Sequence, residues 1–347
     1  MGIRNLNKFL RSNCQTSIQC ISMSELAGKK IAVDISIYMY KFAGEGTLIE
    51  NTYLMLSVFR YYKIIPVFIF DGKSPTEKKE LLEKRRRDKQ SAQKEYNALK
   101  KQLETDHGLD NEEKMELNEM MDVLKKKFVY IQKEHVDKVK RLIRAFGATY
   151  FDAPGEADEL CASLAITKKV WACMSEDMDL FVYGCPRVLR YFSLLKHNVV
   201  VYTTKQIFEE LGISEEEFRQ ICILSGTDYN LQTNQTTDLY TTLKLFKKYK
   251  KNKQNVLKQN ESTKRESINS NSKSNQTDNN FYDWLMEKTD YIKNYQLIES
   301  ITDLFNLQKN VGSMNVFKEI KIANGQYIKD DIRGLLMDDG FIFPEKL

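Results

Sequence analysis

Histidine is scarce in this chain, cysteine is scattered, and long apolar runs are missing. The three histidines are His107, His135 and His197, and none has a serine or cysteine beside it in a nucleophile-like context. His107 and His135 lie in charged, helix-like stretches, so a Ser-His-Asp hydrolase is disfavoured. The six cysteines, at 14, 20, 161, 173, 185 and 222, include no Cys-x-x-Cys pair. Neither a zinc site nor a disulfide framework fits that spacing in a chain of this length. The strongest apolar run, Ile64 to Phe70, falls far short of the roughly eighteen residues that a transmembrane helix requires. The opening Met1-Gly2-Ile3-Arg4-Asn5-Leu6 has no apolar signal core, and it lacks the Ser or Thr at position six of a myristoylation signal. Five prolines and fifteen glycines are too few for a collagen-like or linker-dominated chain.

What remains is a chain with ample material for a core. The 347 residues suggest two domains, or one large domain with a smaller annex. Hydrophobic residues at 42% and charged residues at 29% exclude wholesale disorder. A net charge of +5 is too mild to imply nucleic acid by itself, so the placement of the charges matters more than their sum.

Four short apolar runs organise the first two thirds of the chain. Ile31-Ala32-Val33 ends at Asp34, and Pro66-Val67-Phe68-Ile69-Phe70 ends at Asp71-Gly72. Ala148-Thr149-Tyr150-Phe151 leads into Asp152-Ala153-Pro154-Gly155, and Val170 to Met174 leads to Glu176, Asp177 and Asp179. Their near-continuous apolarity suits buried parallel strands, and the intervening stretches read as helices. The expected fold class is α/β: a mostly parallel central sheet flanked by helices, with an inserted helical arch and a helical C-terminal region. The arch is read from two charge-rich helical stretches, Glu77 to Leu103 and Asn111 to Phe146, which together form a long hairpin between two strands. Residues 249 to 280 are Lys, Asn, Ser and Gln with almost no apolar content, and read as a disordered insert. Apolar periodicity resumes at Phe281, and there are no internal repeats.

In a parallel sheet, ligands collect outside the C-terminal strand ends. Asp34, Asp71, Asp177 and Asp179 belong to such ends, Glu156 and Asp158 open the helix behind Pro154, and Asp228 comes after the apolar run Ile221 to Leu224. Any one of these acids has a plainer explanation. Asp after a strand is turn chemistry, Asp71-Gly72 is a good turn pair, and acids at a helix start complement its dipole. Residues two apart on a regular helix also point to different faces, so Glu156 would pair more naturally with Glu159 than with Asp158. The coincidence of seven acids at one edge is what weighs against the plainer explanations. Two like charges about 4 Å apart cost about 4 kcal/mol at an effective dielectric near 20. With no matching basic cluster at those strand ends, divalent cations are the economical compensation. An all-oxygen donor set favours magnesium, with manganese as a substitute. Two such ions about 3.5–4 Å apart are a standard device for phosphodiester hydrolysis.

Two rival motifs fail. Gly72-Lys73-Ser74 hints at a phosphate-binding loop, but position 67 is Val where that loop needs Gly. Asp177-Met178-Asp179 hints at an aspartyl-phosphate phosphatase, which leaves Asp34, Asp71 and Glu156 without a role. Basic residues come soon after Asp71, among them Lys78, Lys79, Lys84, Arg85, Arg86, Arg87, Lys89 and Lys94. Lys78 and Arg85 are seven apart and share a helix face. A cationic face beside a metal site suits a phosphate backbone, whereas the interleaved Glu77, Glu80, Glu83 and Glu95 suit a merely solvated helix. Of Tyr38 and Tyr40, either is a candidate for base stacking, with the other packing on the core.

These pieces taken together resemble the flap endonuclease family of structure-specific 5′ nucleases, within the xeroderma pigmentosum group G superfamily. The segments that carry the resemblance are Met1-Gly2-Ile3, Val33 to Ser36 with Tyr40, Val67 to Lys73, Asp152 to Asp158, Ser175 to Asp179 and Leu224 to Tyr229. They keep family order and spacing across residues 1 to 230. The resemblance implies a two-magnesium nuclease in which Asp34, Asp71, Glu156 and Asp158 serve one metal group, and Asp177, Asp179 and Asp228 the other. It gives Lys78 and Arg85 catalytic roles on the arch, steering the scissile phosphate. DNA contacts are implied at Tyr40, Arg60, Lys78, Arg85, Glu156, Gly226 and Asp228.

The implied layout is a nuclease region over 1–105 that includes the start of the arch, the rest of the arch over 106–135, and an internal nuclease region over 136–230. A degenerate helix-turn-helix over 231–248 is next, then the insert over 249–280 and a helical C-terminal region over 281–347. The implied activity is 5′ flap endonuclease and 5′-3′ exonuclease on branched or flapped DNA in replication or repair, by a monomer at intracellular sites of DNA replication. Alternatives are a 5′-3′ exonuclease or junction resolvase on the same fold, or a non-catalytic DNA-binding scaffold. Two departures stand out. Asn230 to Leu239 lacks the glycine of the family's duplex-gripping element, which bears on potassium binding and duplex affinity. The short segment between Tyr40 and Arg60 points to reduced contacts with a 3′ flap, and no Gln-initiated, double-aromatic sliding-clamp box is present.

Overall fold

The computed structural model describes residues 2–105, 110–229, 238–266, 280–307 and 322–343. Its centre is a seven-stranded sheet in the order β1-β7-β6-β5-β2-β3-β4. The strands are β1 (Ile18–Ser22), β2 (Lys30–Asp34), β3 (Ile65–Phe70), β4 (Thr149–Asp152), β5 (Ala172–Met174), β6 (Arg187–Ser193) and β7 (Asn198–Thr203). Strands β4, β3, β2, β5 and β6 run parallel to one another, and β7 pairs antiparallel with β6 and β1.

Side-chain alternation along β2 and β3 explains their continuous apolarity. Ala32, Val67 and Ile69 enter one core layer, while Ile31, Val33, Phe68 and Phe70 enter the other. The first layer packs on α7 (Ala157–Ile166) and α10 (Glu215–Leu224), and the second on α2 (Ile35–Gly44), α3 (Leu48–Tyr61) and α6 (Lys133–Ala145). A strand covered on both faces has no polar side to show. The remaining helices are α1 (Leu6–Asn13), α4 (Lys79–Thr105), α5 (Asn111–Lys125), α8 (Asp179–Val182), α9 (Thr204–Leu211), α11 (Leu239–Glu266), α12 (Phe281–Lys288), α13 (Tyr295–Leu304) and α14 (Lys329–Met337).

The α/β reading holds, with three corrections in detail. Three strands, β1, β6 and β7, lie outside the four apolar runs. They form the flank in which β7 pairs antiparallel with both β6 and β1; β1 keeps mostly exposed residues and carries a weak apolar signal, whereas β6 and β7 carry apolar runs in Val188-Leu189 and Val199 to Tyr202. The second arm of the expected helical hairpin is broken at residues 126–132. There the Phe128 ring meets Tyr96 of α4 edge-on at 5.3 Å, and the Lys89 ammonium donates to the Val129 carbonyl at 2.8 Å. Beyond the break the chain enters α6, whose buried Val139, Leu142 and Ile143 belong to the core rather than the arch. Residues 249–266, read as part of a disordered insert, continue α11 instead. Buried Tyr249 stacks into a cluster with Phe246, Phe281 and Trp284, and that apolar anchor was hidden by the polar composition around it. Residues 230–237, which hold most of the glycine-free stretch, lie outside the described residues, as do 267–279 of the insert.

The C-terminal segment crosses the end of the sheet opposite the C-terminal strand ends. The Gly325 amide donates to the Gly147 carbonyl at 2.6 Å, Ile328 donates to Ala145 at 2.8 Å, and the Asn324 amide group donates to the Ile64 carbonyl at 3.2 Å. Gly147 has φ +73, and a Cβ there would lie 2.6 Å from the Gly325 and Gln326 backbone. Gly147→Ala is therefore expected to destabilise by at least the roughly 1–2 kcal/mol of a left-handed L-residue. A urea midpoint equal to the parent's would show that this crossing is not seated.

Candidate active site

The strand order reverses direction at β2, since the chain goes from β2 to β3 on one side and reaches β5 on the other. Crevices at such switch points, outside the C-terminal strand ends, are where open α/β sheets hold ligands. Asp34 closes β2 and caps α2, accepting from the Ile37 amide at 3.5 Å. Its other oxygen accepts from the Ser175 hydroxyl at 2.9 Å. Asp71 stands just past β3 and accepts from the Ala157 amide at 2.9 Å, so it caps the start of α7. Gly72 does more than turn the chain. Its amide donates to the Gly155 carbonyl at 2.8 Å, and a Cβ would stand 1.9 Å from the Ala153 carbonyl oxygen. Only glycine lets the β3 exit press against the segment that carries Glu156.

Glu156 and Asp158 share the site because Glu156 is the N-cap of α7, with extended φ −83 and ψ 149. The regular helical spacing that would separate them does not apply at that position. Asp177 stands on the loop beyond β5, and Asp179 ends that loop as the first residue of α8. The Asp177 amide donates to Ser175 Oγ at 3.1 Å, and the Asp179 amide donates to Asp177 Oδ1 at 3.1 Å. Asp228 lies past α10, after Gly226, whose φ is +102. The sheet edge therefore gathers acids spread from position 34 to position 228 in the chain.

The arch supplies their counter-charges. Lys78, 7% exposed, donates to Glu156 Oε2 at 2.6 Å and lies 4.7 Å from the Tyr229 ring centre. Arg85 donates to Asp228 Oδ2 at 2.9 Å. This corrects the expectation that no basic partner reaches the strand ends, and also the expectation that the two cations share one helix face: Lys78 ends the 3-10 turn Thr76–Lys78, and Arg85 lies on α4.

Two cations do not neutralise seven acids. Burial pushes the Asp34 carboxyl up to about 8, with Asp71 and Asp177 adding to the effect. Burial also raises Asp158, reinforced by Glu156 and Asp177, and raises Asp179, reinforced by Asp177 and Asp228. Burial disfavours the Lys78 ammonium, yet Asp158 and Glu156 prevail and hold its pKa above the ordinary value. Asp179 is 1% exposed, and its Oδ1 has no hydrogen-bond partner among the described residues. An orphaned buried carboxylate oxygen among mutually repelling acids is the signature of a site completed by a cation. Among the described residues, no three His, Cys, Asp or Glu side chains converge closely enough to hold a metal ion as they stand.

The other expected contacts divide. Tyr38 is buried in the core, whereas Tyr40 is 47% exposed, with Lys89 Nζ 4.9 Å from its ring centre. Arg60 lies 4.3 Å over the Tyr327 ring, on the C-terminal crossing at the far end of the sheet from the carboxylates. Ser175, Tyr229 and Gly2 carry parts that no sequence reading assigned. The Tyr229 hydroxyl donates to Glu156 Oε2 at 2.8 Å. A Cβ on Gly2 would stand 2.5 Å and 2.7 Å from the Asp179 and Asp177 carboxylates, so the N-terminal backbone is itself part of the site wall. All three sit inside the segments that carry the family resemblance, which was the only signal available for them.

Residues 1–92 match the XPG N-terminal domain, and residues 147–228 match the XPG I-region. Flap endonuclease 1 of Encephalitozoon cuniculi is 33% identical over 246 residues, an alignment that covers 66% of this chain and 68% of that protein. The Glycine max enzyme of the same name is 34% identical over 252 residues, covering 66% and 62%, and that of Glossina morsitans morsitans is 31% identical over 247 residues, covering 66% and 61%. The chain thus spans about three fifths of the length of these last two relatives. Among solved structures, the catalytic core of Rad2 in complex with DNA substrate superposes with a TM-score of 0.58 at 19% identity, over 97% of this chain and 95% of that one. Flap endonuclease-1 from Methanococcus jannaschii gives 0.52 at 19% identity, over 93% and 97%. At that identity the two structures share the fold. The motifs, their order and the matching relatives together place the chain in the flap endonuclease family of XPG nucleases.

Proposed function

We propose that this protein is a magnesium-dependent, structure-specific 5′ flap endonuclease with 5′-3′ exonuclease activity, acting on branched DNA during replication or repair. The observation that carries the reading is the unpaired Asp179 Oδ1, at the centre of acids whose pKa values burial and mutual repulsion raise. The all-oxygen chemistry of those residues suits two divalent ions, once the acids draw in from their present spacing: Asp34, Asp71, Glu156 and Asp158 would hold one, and Asp177, Asp179 and Asp228 the other. Ions bound there supply the positive charge that favours hydroxide over water and offsets charge developing on the phosphate.

The chain's own residues do the rest. Ser175 orients Asp34 and the Asp177 amide together through one hydroxyl. Tyr229 fixes Glu156. Lys78 and Arg85, released from Glu156 and Asp228, neutralise and orient the scissile phosphate. Tyr40 offers an exposed ring to the neighbouring base. In this reading residues 1–105 and 136–230 build the nuclease, the arch admits the 5′ strand, and the enzyme works as a monomer inside the cell where DNA is copied. No described helix is long and apolar enough to cross a membrane.

The test is a magnesium titration on a labelled 5′-flap duplex, run beside nicked and four-way substrates. Cutting at the flap base only when the ion is present supports the proposal. Preferred cutting of the four-way substrate would move the assignment to a junction resolvase, and binding without cutting to a scaffold. Arg85→Ala is expected to slow flap cleavage by about 10²–10³-fold, the range for loss of a charge-stabilising donor. An unchanged rate would remove the arch from the chemistry.

A further inference from the structure

The loop that carries Asp177 and Asp179 is gripped from behind by a side chain that the proposed chemistry does not use. Arg190, on β6, is 6% exposed. A guanidinium so far from water needs its donors occupied. Nη2 donates to the Glu176 carbonyl at 2.9 Å and Nη1 donates to Asn7 Oδ1 at 2.8 Å and to Met178 Sδ at 2.7 Å, whereas Nε has no hydrogen-bond partner among the described residues and makes only an ion-pair contact with Glu176 Oε2 at 3.6 Å. The residues on either side of Asp177 are therefore both held by Arg190. Glu176 is held a second time, because the Tyr191 amide donates to its Oε1 at 2.6 Å.

Asn7 is the hub on the other side. Its Oδ1 also accepts from the Tyr202 hydroxyl at 2.8 Å, and its amide nitrogen donates to the Tyr191 hydroxyl at 2.7 Å. The acceptor thus faces two donors and the donor faces an acceptor, which leaves one sensible orientation for the amide. Arg190 and Tyr191 are consecutive, and a regular strand would send them to opposite faces of the sheet. Both reach Asn7 because Tyr191 has φ +57, at the register shift between Arg190 and Ser193. A left-handed bulge at a bulky aromatic is costly and re-aims side chains, a device found beside functional sites. Five residues before Asn7, Gly2 lies against the Asp177 and Asp179 carboxylates. Asn7 therefore anchors the N-terminal segment to the same bulge that anchors the acid loop.

We infer that Arg190 and Asn7 form a positioning clamp that holds the Asp177–Asp179 loop and the N-terminal segment in one fixed relation at the sheet edge. The inference rests on the function proposed above and assigns neither residue contact with substrate. A rigid mount is needed because Asp177 and Asp179 repel each other, and an unclamped loop would relieve that repulsion by moving apart.

The test uses the full chain with Arg190→Lys, which keeps the charge and loses the fork, and with Asn7→Leu. Asn7→Asp serves as the milder variant, keeping the acceptor toward Arg190 and Tyr202. Three quantities are read: amide exchange at Asp177 and Asp179 in EDTA, the magnesium concentration giving half of the metal-induced rise in Tm, and kcat and KM on a 5′-flap duplex. Arg190→Lys and Asn7→Leu are expected to speed exchange at those two amides by about 10-fold or more while leaving α14 amides unchanged. They should also raise the magnesium midpoint and lower kcat by about 10–100-fold each, the usual cost of losing residues that orient metal ligands. KM should stay within about 3-fold, Asn7→Asp should fall between parent and Asn7→Leu, and excess manganese should restore much of kcat. Parent-like exchange and parent-like magnesium midpoints in folded variants would overturn the clamp. So would a global loss of Tm in EDTA shared by Asn7→Asp, with exchange raised equally in α14, since that is mere structural support. If the parent itself neither binds magnesium nor cuts flaps, the functional reading fails, and the exchange ratio alone still decides the clamp.

Discussion

Asp179→Ala is expected to abolish flap cleavage, by about 10³-fold or more, and to leave the folded protein at least as stable in EDTA. Both halves stem from the same atoms. Asp179 is almost fully enclosed, its Oδ1 has no hydrogen-bond partner among the described residues, and Asp177 and Asp228 push its pKa up on top of burial. A group that is costly in the free protein is retained because of what it binds. Removing it relieves repulsion on Asp177 and takes away one of the proposed ligands of the second ion. The relief is set against a small cavity and the loss of dispersion contacts, so the net change in stability is expected to be small or favourable. Cleavage is measured at saturating magnesium on a 5′-flap duplex, and unfolding in EDTA. A variant that cuts at the parent rate removes Asp179 from the metal site. A variant that is inactive because it is unfolded in EDTA makes the aspartate structural and contradicts the electrostatic account.

The second large effect is a metal-dependent reversal of the pH profile of stability. The Asp34 carboxyl is raised to about 8, and Asp158 and Asp179 are raised with it by burial and neighbouring acids. In the unfolded chain such groups titrate near 4. Between these limits the folded state binds more protons than the unfolded state, so stability falls as pH rises. In EDTA the contribution of these acids to stability should therefore be greatest at or below about pH 4 and should fall by on the order of a few kcal/mol on approaching pH 8. Ions bind the deprotonated carboxylates, so the magnesium-induced gain in Tm should grow over the same interval. Melting curves at several pH values, with EDTA and with magnesium, test both parts. A magnesium increment that is flat between pH 5 and pH 8 would falsify the assignment of these carboxylates as ligands. An EDTA profile that rises toward pH 8 would mean that Lys78 and Arg85 already compensate the cluster fully.

Lys78 and Arg85 stand in the free protein where the ions would otherwise act. They pair with Glu156 and Asp228, two of the proposed ligands. In the proposed reading magnesium and the arch would compete for the same oxygens, and a phosphate arriving with the ions would give both cations a new partner. The Arg85 side chain is 43% exposed against 9% for Lys78, so Arg85 is the easier of the two to release.

Much of this was legible from the residues alone. Short two-faced apolar runs ending in Asp34 and Asp71 announced buried parallel strands, because a strand covered on both sides has no polar face to interrupt it. The α11 continuation past Tyr249 was not legible, since its apolar residues sit among lysines and asparagines, whereas the β6–β7 flank carried apolar runs of its own in Val188-Leu189 and Val199 to Tyr202 and only its antiparallel pairing was hidden. The site divides the same way. Composition and motif order named the seven acids and the basic arch face, for the donor chemistry belongs to the side chains themselves.

Which atoms stand beside which was settled only by folding. Sequence separation conceals that Lys78 reaches Glu156, that Ser175 links Asp34 to Asp177, and that Gly2 lies against Asp179, because those contacts depend on how sheet register and helix entry bring remote segments to one edge. The clamp of Arg190 on Asn7 is of the same kind: a left-handed residue in β6 decides it, and a backbone angle at one tyrosine leaves no trace in the order of the letters.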